Sequence, residues 1–405
     1  MRFNLWEDCN RVPLTELLSF IVDNRGKTVP TAPSGHKLIA TNCVTNNTLF
    51  PVYEKIRYLS EETYQTWFRA HPIPGDILFV NKGTPGRVCL VPDPVDFCIA
   101  QDMIALRADE SKIYPKYLFA VLRSREIQQQ IYNTNVGDVI PHFKKQFLNQ
   151  LLIPIPERSI QESIGDLYYV LSLKAERNKK INDNLEQQAV ALFKSWFVDF
   201  SLFGGTVPEN WEDTTLENIT TLITRGIAPK YSDNSDQTVV NQKCIRNHTI
   251  DLSLARTHTP KAINEKWLKF GDLLINSTGD GTLGRVAQVW FAPKALTVDS
   301  HVTIVRPARE ELIFYIGLWG ILHEKEIESL HTGSTGQTEL PRDRVKMLKL
   351  LLPDNISLSR FNSIITPMAS TIISNQEENQ KLASLRDTLL PKLMSGEIDV
   401  SNIQF

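Results

Sequence analysis

The sequence predicts an α+β protein of two globular units and two long helices, the globule–helix pair occurring twice along the chain. Three observations predict it. Residues 158–200 read as one amphipathic helix, and roughly 35–40 residues at about 1.5 Å each span on the order of 55–60 Å, more than a compact domain needs. That helix recurs 201 residues later: Ile164, Leu171, Asn178 and Leu192 reappear as Ile365, Ile372, Asn379 and Leu393. The short strands and turns of the first globule recur too, at offsets of 196 to 202 residues. The whole chain is therefore a duplication.

The first globule is assigned to residues 1–157. Short β-like runs are punctuated by turn residues at 74–80, 87–91, 104–107 and 151–156, with a helical stretch near 114–132. Ser159 and Glu162 have the spacing of a capping box, which starts the first long helix at 158–200. Its seam reads Ile164, Leu171, Asn178, Leu185, Leu192, with a second row at Leu167, Lys174, Ile181 and Gln188. The glycines and proline of 201–213 form a linker. The second globule is 214–356, the second helix 357–397 and the tail 398–405.

In the second helix the two rows are Ile365, Ile372, Asn379, Leu393 and Met368, Leu382, Leu389. The polar interruption is repeated, since Asn178 and Asn379 occupy one seam. An Asn there costs stability and fixes register and partner; the alternative is two surface helices whose asparagines face water. Two copies of one helix suggest that they pack on each other. Pro367 is expected to delay the second helix's first regular turn, and Pro391 to kink or end its last.

The globules match at particular elements. Arg25-Gly26 pairs with Arg225-Gly226, PGDILF (74–79) with FGDLLI (270–275), GTPGRV (83–88) with GTLGRV (281–286), and Ile140-Pro141 with Leu340-Pro341. Segments 31–70 and 231–266 have almost nothing in common. The halves thus share a scaffold and carry different surfaces.

Composition is ordinary for a globular chain, 42% hydrophobic and 22% charged, with a net charge of −2 that gives no global attraction to nucleic acid. No apolar run is long enough to cross a bilayer, and the start of the chain has no signal-peptide core. The 5 cysteines form no CxxC pair and read as reduced thiols, so the expected location is cytoplasmic. The 8 histidines are scattered and read as no metal site. There is no GxGxxG after a strand, no P-loop, no HExxH and no Asn-Pro-Pro-aromatic tetrapeptide. Nothing here carries catalysis.

With these elements in place the chain resembles the specificity subunit of a type I restriction–modification enzyme. The resemblance rests on LEQQAVALFKSWFVDF (185–200), ENQKLASLRDTLLPKLMSGEI (378–398) and the paired GD-[IL]-L and GTxGRV elements. It implies that each globule is a target-recognition domain for one half of a split, asymmetric site in double-stranded DNA. The two helices are then an antiparallel coiled-coil spacer related by a pseudo-twofold axis. They also dock two methyltransferase subunits, and restriction/translocase subunits complete the enzyme. The chain itself would use no cofactor, S-adenosylmethionine belonging to the methyltransferase. Two other readings are a coiled-coil scaffold joining protein-binding domains, and an enzyme with an unrecognised site.

The physical reading places the loops beside the matched strands against DNA: Asn81, Lys82, Thr84 and Arg87, then Asn276, Ser277, Thr278, Thr282 and Arg285. Gly83, Gly86, Gly281 and Gly284 read first as tight-turn residues and otherwise as points of close phosphate approach. Arg87 and Arg285 read equally as phosphate contacts and as solvated side chains. Base readout is assigned to the unshared stretches, at Asn42, Asn46, Gln242, Lys243, Arg246 and Asn247.

Overall fold

The computed structural model describes residues 4–24, 28–134, 141–279, 281–333 and 338–398. Arg25, Gly26, Ile140 and most of the tail (399–405) lie outside the described residues. The chain divides into two units, Met1–Lys180 with Gln376–Phe405, and Ile181–Asn375.

The first unit contains β1 (Asn10–Pro13), β2 (Leu18–Val22), β3 (His36–Ile39), β4 (Arg57–Leu59), β5 (Ile77–Val80), β6 (Val88–Leu90), β7 (Phe97–Ile99), β8 (Met103–Ala108) and β9 (Leu152–Ile155). Its main sheet has the order β2-β8-β5-β6, entirely antiparallel; a second sheet is β4-β3-β7, with β3 and β7 parallel, and β1 pairs with β9. Strand β5 is buried on both faces, which explains its unbroken apolar run. Ile77 and Phe79 face a core with Tyr117, Phe119 and Phe143, while Leu78 and Val80 face another with Ile39, Cys89 and Ile99. The expected helical stretch is two helices, Pro115–Leu122 and Arg125–Thr134.

The second unit contains β10 (Glu212–Thr215), β11 (Thr220–Arg225), β12 (Thr238–Val240), β13 (Ile245–Arg246), β14 (Thr249–Ile250), β15 (Arg256–Thr257), β16 (Leu273–Asn276), β17 (Val286–Gln288), β18 (Leu296–Val298), β19 (Val302–Pro307) and β20 (Lys349–Leu352). Its sheets repeat the plan: β11-β19-β16-β17, β15-β12-β18 with β12 and β18 parallel, and β10 with β20. The pair β13-β14 is additional.

The repeated Gly-Asp has a structural cause. Gly75 and Gly271 hold φ of 85° and 88°, which glycine adopts without a steric penalty. The next residue, Asp76, is buried and bonded through both oxygens to Arg107 at 2.9 Å. In the second unit Asp272 bonds Arg306 at 2.8 and 2.7 Å in the same way. Such forked, charge-assisted pairs tie β8 and β19 to the turns before β5 and β16.

Two 40-residue helices, Arg158–Phe197 and Asn355–Met394, contribute to both units. In the first unit Ile164 and Tyr168 share a core with Leu390, Leu393 and Met394, and further along Asn178 meets Asn379. In the second unit Asn182 meets Asn375, while Phe193 packs on Phe361 with ring centroids 6.0 Å apart. Within each unit the facing segments therefore run antiparallel.

The structure corrects four expectations about these helices. Ser159 is not a cap. The helix begins at Arg158, Glu157 O accepts the N–H groups of Ile160 and Gln161, and Glu162 bonds Arg158 at 2.9 Å. Pro367 does not delay the second helix, which starts at Asn355, and Pro391 does not end it. Both prolines lie on the exposed face, where Ser363 and Asp387, whose carbonyls lose their donors, are also exposed and open to water. Ile181 is 46% exposed, and the adjoining Asn182 is the buried residue. The second row of the first helix is accordingly Tyr168, Ala175, Asn182 and Ala189, one residue beyond Leu167, Lys174, Ile181 and Gln188.

Asp354 caps the second helix, accepting from the Ile356 and Ser357 N–H groups at 2.8 and 3.0 Å, from the Ser357 hydroxyl and from Trp211 Nε1. Partial burial would raise its pKa, but these donors outweigh it and hold the carboxyl down at about 2.

Candidate nucleic-acid interface

In each unit the site is built on the turn from a central strand to the neighbouring edge strand, β5 to β6 and β16 to β17. In the first unit β5 leads through Asn81–Arg87 into β6, and the turn closes through Gly86 N–H to Val80 O at 3.0 Å and Val80 N–H to Arg87 O at 2.9 Å. Gly83 and Gly86 both have φ of 86°. A side chain on Gly86 would press on Ile131 and Gln128, whereas Gly83 faces open space. Gly86 therefore serves the turn and its packing, while Gly83 is exposed with its N–H bonded to Pro141 O at 3.0 Å.

The residues assigned to this turn separate by exposure. Asn81 is buried, donating from Nδ2 to Phe143 O at 3.2 Å. Lys82 and Arg87 are exposed, Thr84 is half-buried, and none of the three side chains is bonded to a described residue. Asn46 is half-buried and accepts the Val88 N–H at 2.8 Å, so it supports the far side of the turn. Asn42 is exposed and donates to Glu54 O at 3.0 Å.

The second unit repeats the turn with a denser network. Gly284 N–H bonds Asn276 O at 2.8 Å and Asn276 N–H bonds Arg285 O at 2.9 Å. A Cβ on Gly284 would lie 2.6 Å from Glu328 Cβ, while one on Gly281 would meet nothing. Asn276 and Ser277 are fully buried; Asn276 donates to Gln242 O at 3.0 Å and Ser277 shares a 2.6 Å bond with Thr303. Thr278 donates to Gln242 Oε1 at 3.1 Å and lies 2.7 Å from His301 Nδ1. Thr282 bonds back to the Thr278 and Gly279 carbonyls. The structure thus brings Gln242, Asn276 and Thr278 together under the turn.

Arg285 differs from Arg87. It is half-buried and donates from Nη2 to Gly281 O at 2.7 Å. Glu324, close enough to feel its charge, accepts the Val286 N–H at 3.0 Å and lies 3.4 Å from His248 Nε2. Burial would raise the Glu324 pKa; the bonds from His248 and Val286, with the Arg285 charge, overcome it and lower the carboxyl. Lys243, Arg246 and Asn247 are exposed beside this cluster. The sequence counts His248 among the scattered histidines and reads His323–Glu328 as an exposed helix face, assigning neither to the interface; Glu324 is in fact half-buried. The available signal for His248 was its place in Asn247-His248, a polar pair between two isoleucine-flanked strands.

Among the described residues no group of three or more His, Cys, Asp or Glu side chains could hold a metal ion. No helix there is long and apolar enough to cross a membrane.

Residues 24–187 match the family model described as the type I restriction modification DNA specificity domain. The MjaIX type I restriction enzyme specificity subunit of Methanocaldococcus jannaschii is 24% identical over 355 residues, covering 81% of this chain and 79% of that one. The HindI specificity subunit of Haemophilus influenzae is 22% identical over 406 residues, covering 80% and 86%. Among solved structures, the type I restriction–modification S subunit from M. genitalium superposes with a TM-score of 0.58 at 16% identity, covering 97% of this chain and 98% of that one. That likeness is one of fold, and it spans the α+β architecture described above. Over most of its length the chain is thus homologous to type I restriction–modification specificity subunits, and residues 24–187 match their DNA specificity domain.

Proposed function

We propose that the chain reads a bipartite, asymmetric DNA site on behalf of a type I restriction–modification complex and carries no chemistry of its own. The carrying observation is that both units have the same strand order, including β2-β8-β5-β6 and β11-β19-β16-β17, while the segments beside those sheets differ. A shared scaffold with unshared surfaces suits two recognition domains for two different half-sites. Groove readout needs a fixed register along the duplex. In this reading the paired long helices are an antiparallel coiled-coil spacer that sets the half-site separation and docks two methyltransferase subunits. Restriction/translocase subunits join them.

The exposed residues Lys82, Arg87, Lys243, Arg246 and Asn247 are the proposed DNA contacts, with Asn42, Thr84, Thr282 and Arg285 beside them. Asn81, Asn276 and Ser277 hold the turns from inside, and Asn46 and Gln242 brace them.

The test is reconstitution. The purified chain alone transfers no methyl group to DNA; with a methyltransferase subunit and S-adenosylmethionine, modification appears at one split sequence. Methylation by the isolated chain above a no-protein control would overturn the reading, as would a complex that modifies DNA without sequence preference.

A further inference from the structure

The second unit has a strand pair that the described residues of the first lack. After the matched short 3-10 turns, Thr41–Cys43 and Gln242–Cys244, the first unit continues through 44–56 without a strand, whereas the second forms the β13-β14 hairpin. Its register pairs Ile245 with Ile250 and Arg246 with Thr249, leaving Asn247 and His248 as the two turn residues. Both have positive φ, 50° and 59°, although neither is glycine. Two successive left-handed residues make the tight turn whose twist suits a hairpin. They also carry strain that persists only where surrounding contacts hold it.

Those contacts are visible. Ile245 is fully buried, Thr249 Oγ1 donates to Arg246 O at 2.8 Å, and the hairpin packs on β17. His248 is held by Glu324 at 3.4 Å, and Glu324 also accepts the N–H of Val286, the first residue of β17. One carboxylate therefore connects the hairpin tip to the strand that leaves the Arg285 turn. Asn247 remains exposed, its side chain bonded to nothing described.

We infer that the Ile245–Ile250 hairpin is the base-reading element of the second unit, with Asn247 as the base contact and Glu324–His248 as the positioning contact. This rests on the DNA-reading role proposed above. An asparagine amide offers one acceptor and two donor hydrogens, the complement of the adenine N6 and N7 edge in the major groove. Its position beside the turn shared by both units lets a phosphate-directed arginine and a base-directed amide act from one rigid edge. Because residues 44–56, the matching segment of the first unit, form no such hairpin, this readout belongs to one half-site only.

The experiment selects preferred sequences from a randomised duplex pool, using the full chain assembled with its methyltransferase. The variants are Asn247→Gly, Glu324→Gln and His248→Gln. Asn247→Gly removes the amide yet suits a positive φ, so the turn survives. It is expected to lower selectivity about tenfold at one or two adjacent base pairs of one half-site, leaving base preference at the other half-site as in the wild type. Glu324→Gln, which keeps an acceptor for Val286, should lower selectivity at those same positions by a few-fold, and His248→Gln should retain most of it. Unchanged preference in Asn247→Gly overturns the hairpin assignment while leaving the proposed function standing. Glu324→Gln with full selectivity overturns the positioning contact. A wild-type complex that selects no sequence overturns the recognition role itself.

Discussion

Asn178 donates from Nδ2 to Asn379 Oδ1 at 3.0 Å and also to Glu378 Oε2 at 2.6 Å. Asn379 in turn donates to the Ala175 carbonyl at 3.3 Å, and Lys174 pairs with Glu378 at 3.1 Å. Asn178 is almost wholly buried, and its Oδ1 has no partner among the described residues. Such a pair fixes one register of two helices at some cost in stability.

Truncating either asparagine should therefore destabilise the chain, Asn178→Ala and Asn379→Ala each by about 1–3 kcal/mol, because the surviving amide is left short of partners. The double variant should be less destabilised than the sum, with a coupling of about 0.5–3 kcal/mol in a urea-denaturation cycle. The double Leu variant should match or exceed wild-type stability, since apolar residues at such positions cost nothing in desolvation. Additive single effects would remove the bond from the list of register-fixing contacts.

Arg87 and Arg285 occupy matched places in GTPGRV and GTLGRV, and the sequence leaves both equally open to phosphate contact and to solvation. The structure distinguishes them: Arg87 is exposed and bonded to no described residue, while Arg285 is tied to Gly281 O. Arg87→Ala should weaken binding to cognate and random DNA alike and reduce the salt slope by about one. Arg285→Ala should change the slope less and lower stability, through loss of the turn contact. Binding isotherms at several salt concentrations check both; equal slope changes would return the two arginines to one role.

Much of the fold was legible in the sequence because it rests on short-range rules. The apolar run at 77–80 is the doubly buried strand β5, the glycine-bounded repeats are turns, and the 158–200 periodicity is a helix. The seam was only half legible. Its first row follows the apolar residues, but the second was read as Leu167 and Ile181 because those are hydrophobic. The helices bury Tyr168, Asn182 and Ala189 more deeply; Leu167 is half-buried against the core, and Ile181 is left outside. Small side chains permit close packing and Asn182 bonds Asn375 at 2.8 Å, so contact geometry outweighed hydrophobicity. The candidate interface was legible as polar loop residues, yet which were exposed was not. Asn81, Asn276 and Ser277 satisfy backbone groups brought near by distant segments, and no local pattern encodes that.

Glu186, on the first long helix in the second unit, should make stability fall with rising pH. Burial, then the neighbouring Asp183, push its pKa up to about 7, opposed in part by His248. An unfolded glutamate releases its proton near about pH 4.3. The folded state therefore binds more protons between those values, so this contribution is complete below the unfolded pKa and lost as pH rises through about 7. Glu186→Gln should raise stability by about 1–3 kcal/mol at pH 8, have little effect at pH 4.5 and flatten the dependence between them. Urea midpoints at the two pH values decide it; an equal gain at both would place the effect in packing.

The duplication itself makes the strongest prediction. A chain ending at Phe203 keeps the first globule and first helix but loses Leu390, Leu393 and Met394 from the core shared with Ile164 and Tyr168. Each such loss forfeits on the order of 1.5–3 kcal/mol where the side chain is fully buried. A second copy can supply the missing surface. The 201-residue offset that relates Asn178 to Asn379 puts Ala189, Leu192 and Phe193 where Leu390, Leu393 and Met394 stood. One smaller and one larger side chain roughly conserve volume, the kind of change cores tolerate best. Asn178 then meets its own twin. What is lost is the Lys174–Glu378 ion pair, because Arg177 takes the place of Glu378 and sets like charges together. The contact is twofold and self-complementary, so the truncated chain should dimerise, at roughly micromolar protein because of that repulsion. With methyltransferase it should direct modification to a palindrome built from the first half-site. Arg177→Glu should restore the ion pair and tighten the dimer. Light scattering that finds only folded monomer, even in Arg177→Glu, would refute the pairing. Dimers that modify only the original asymmetric site would refute the assignment of one half-site to each globule.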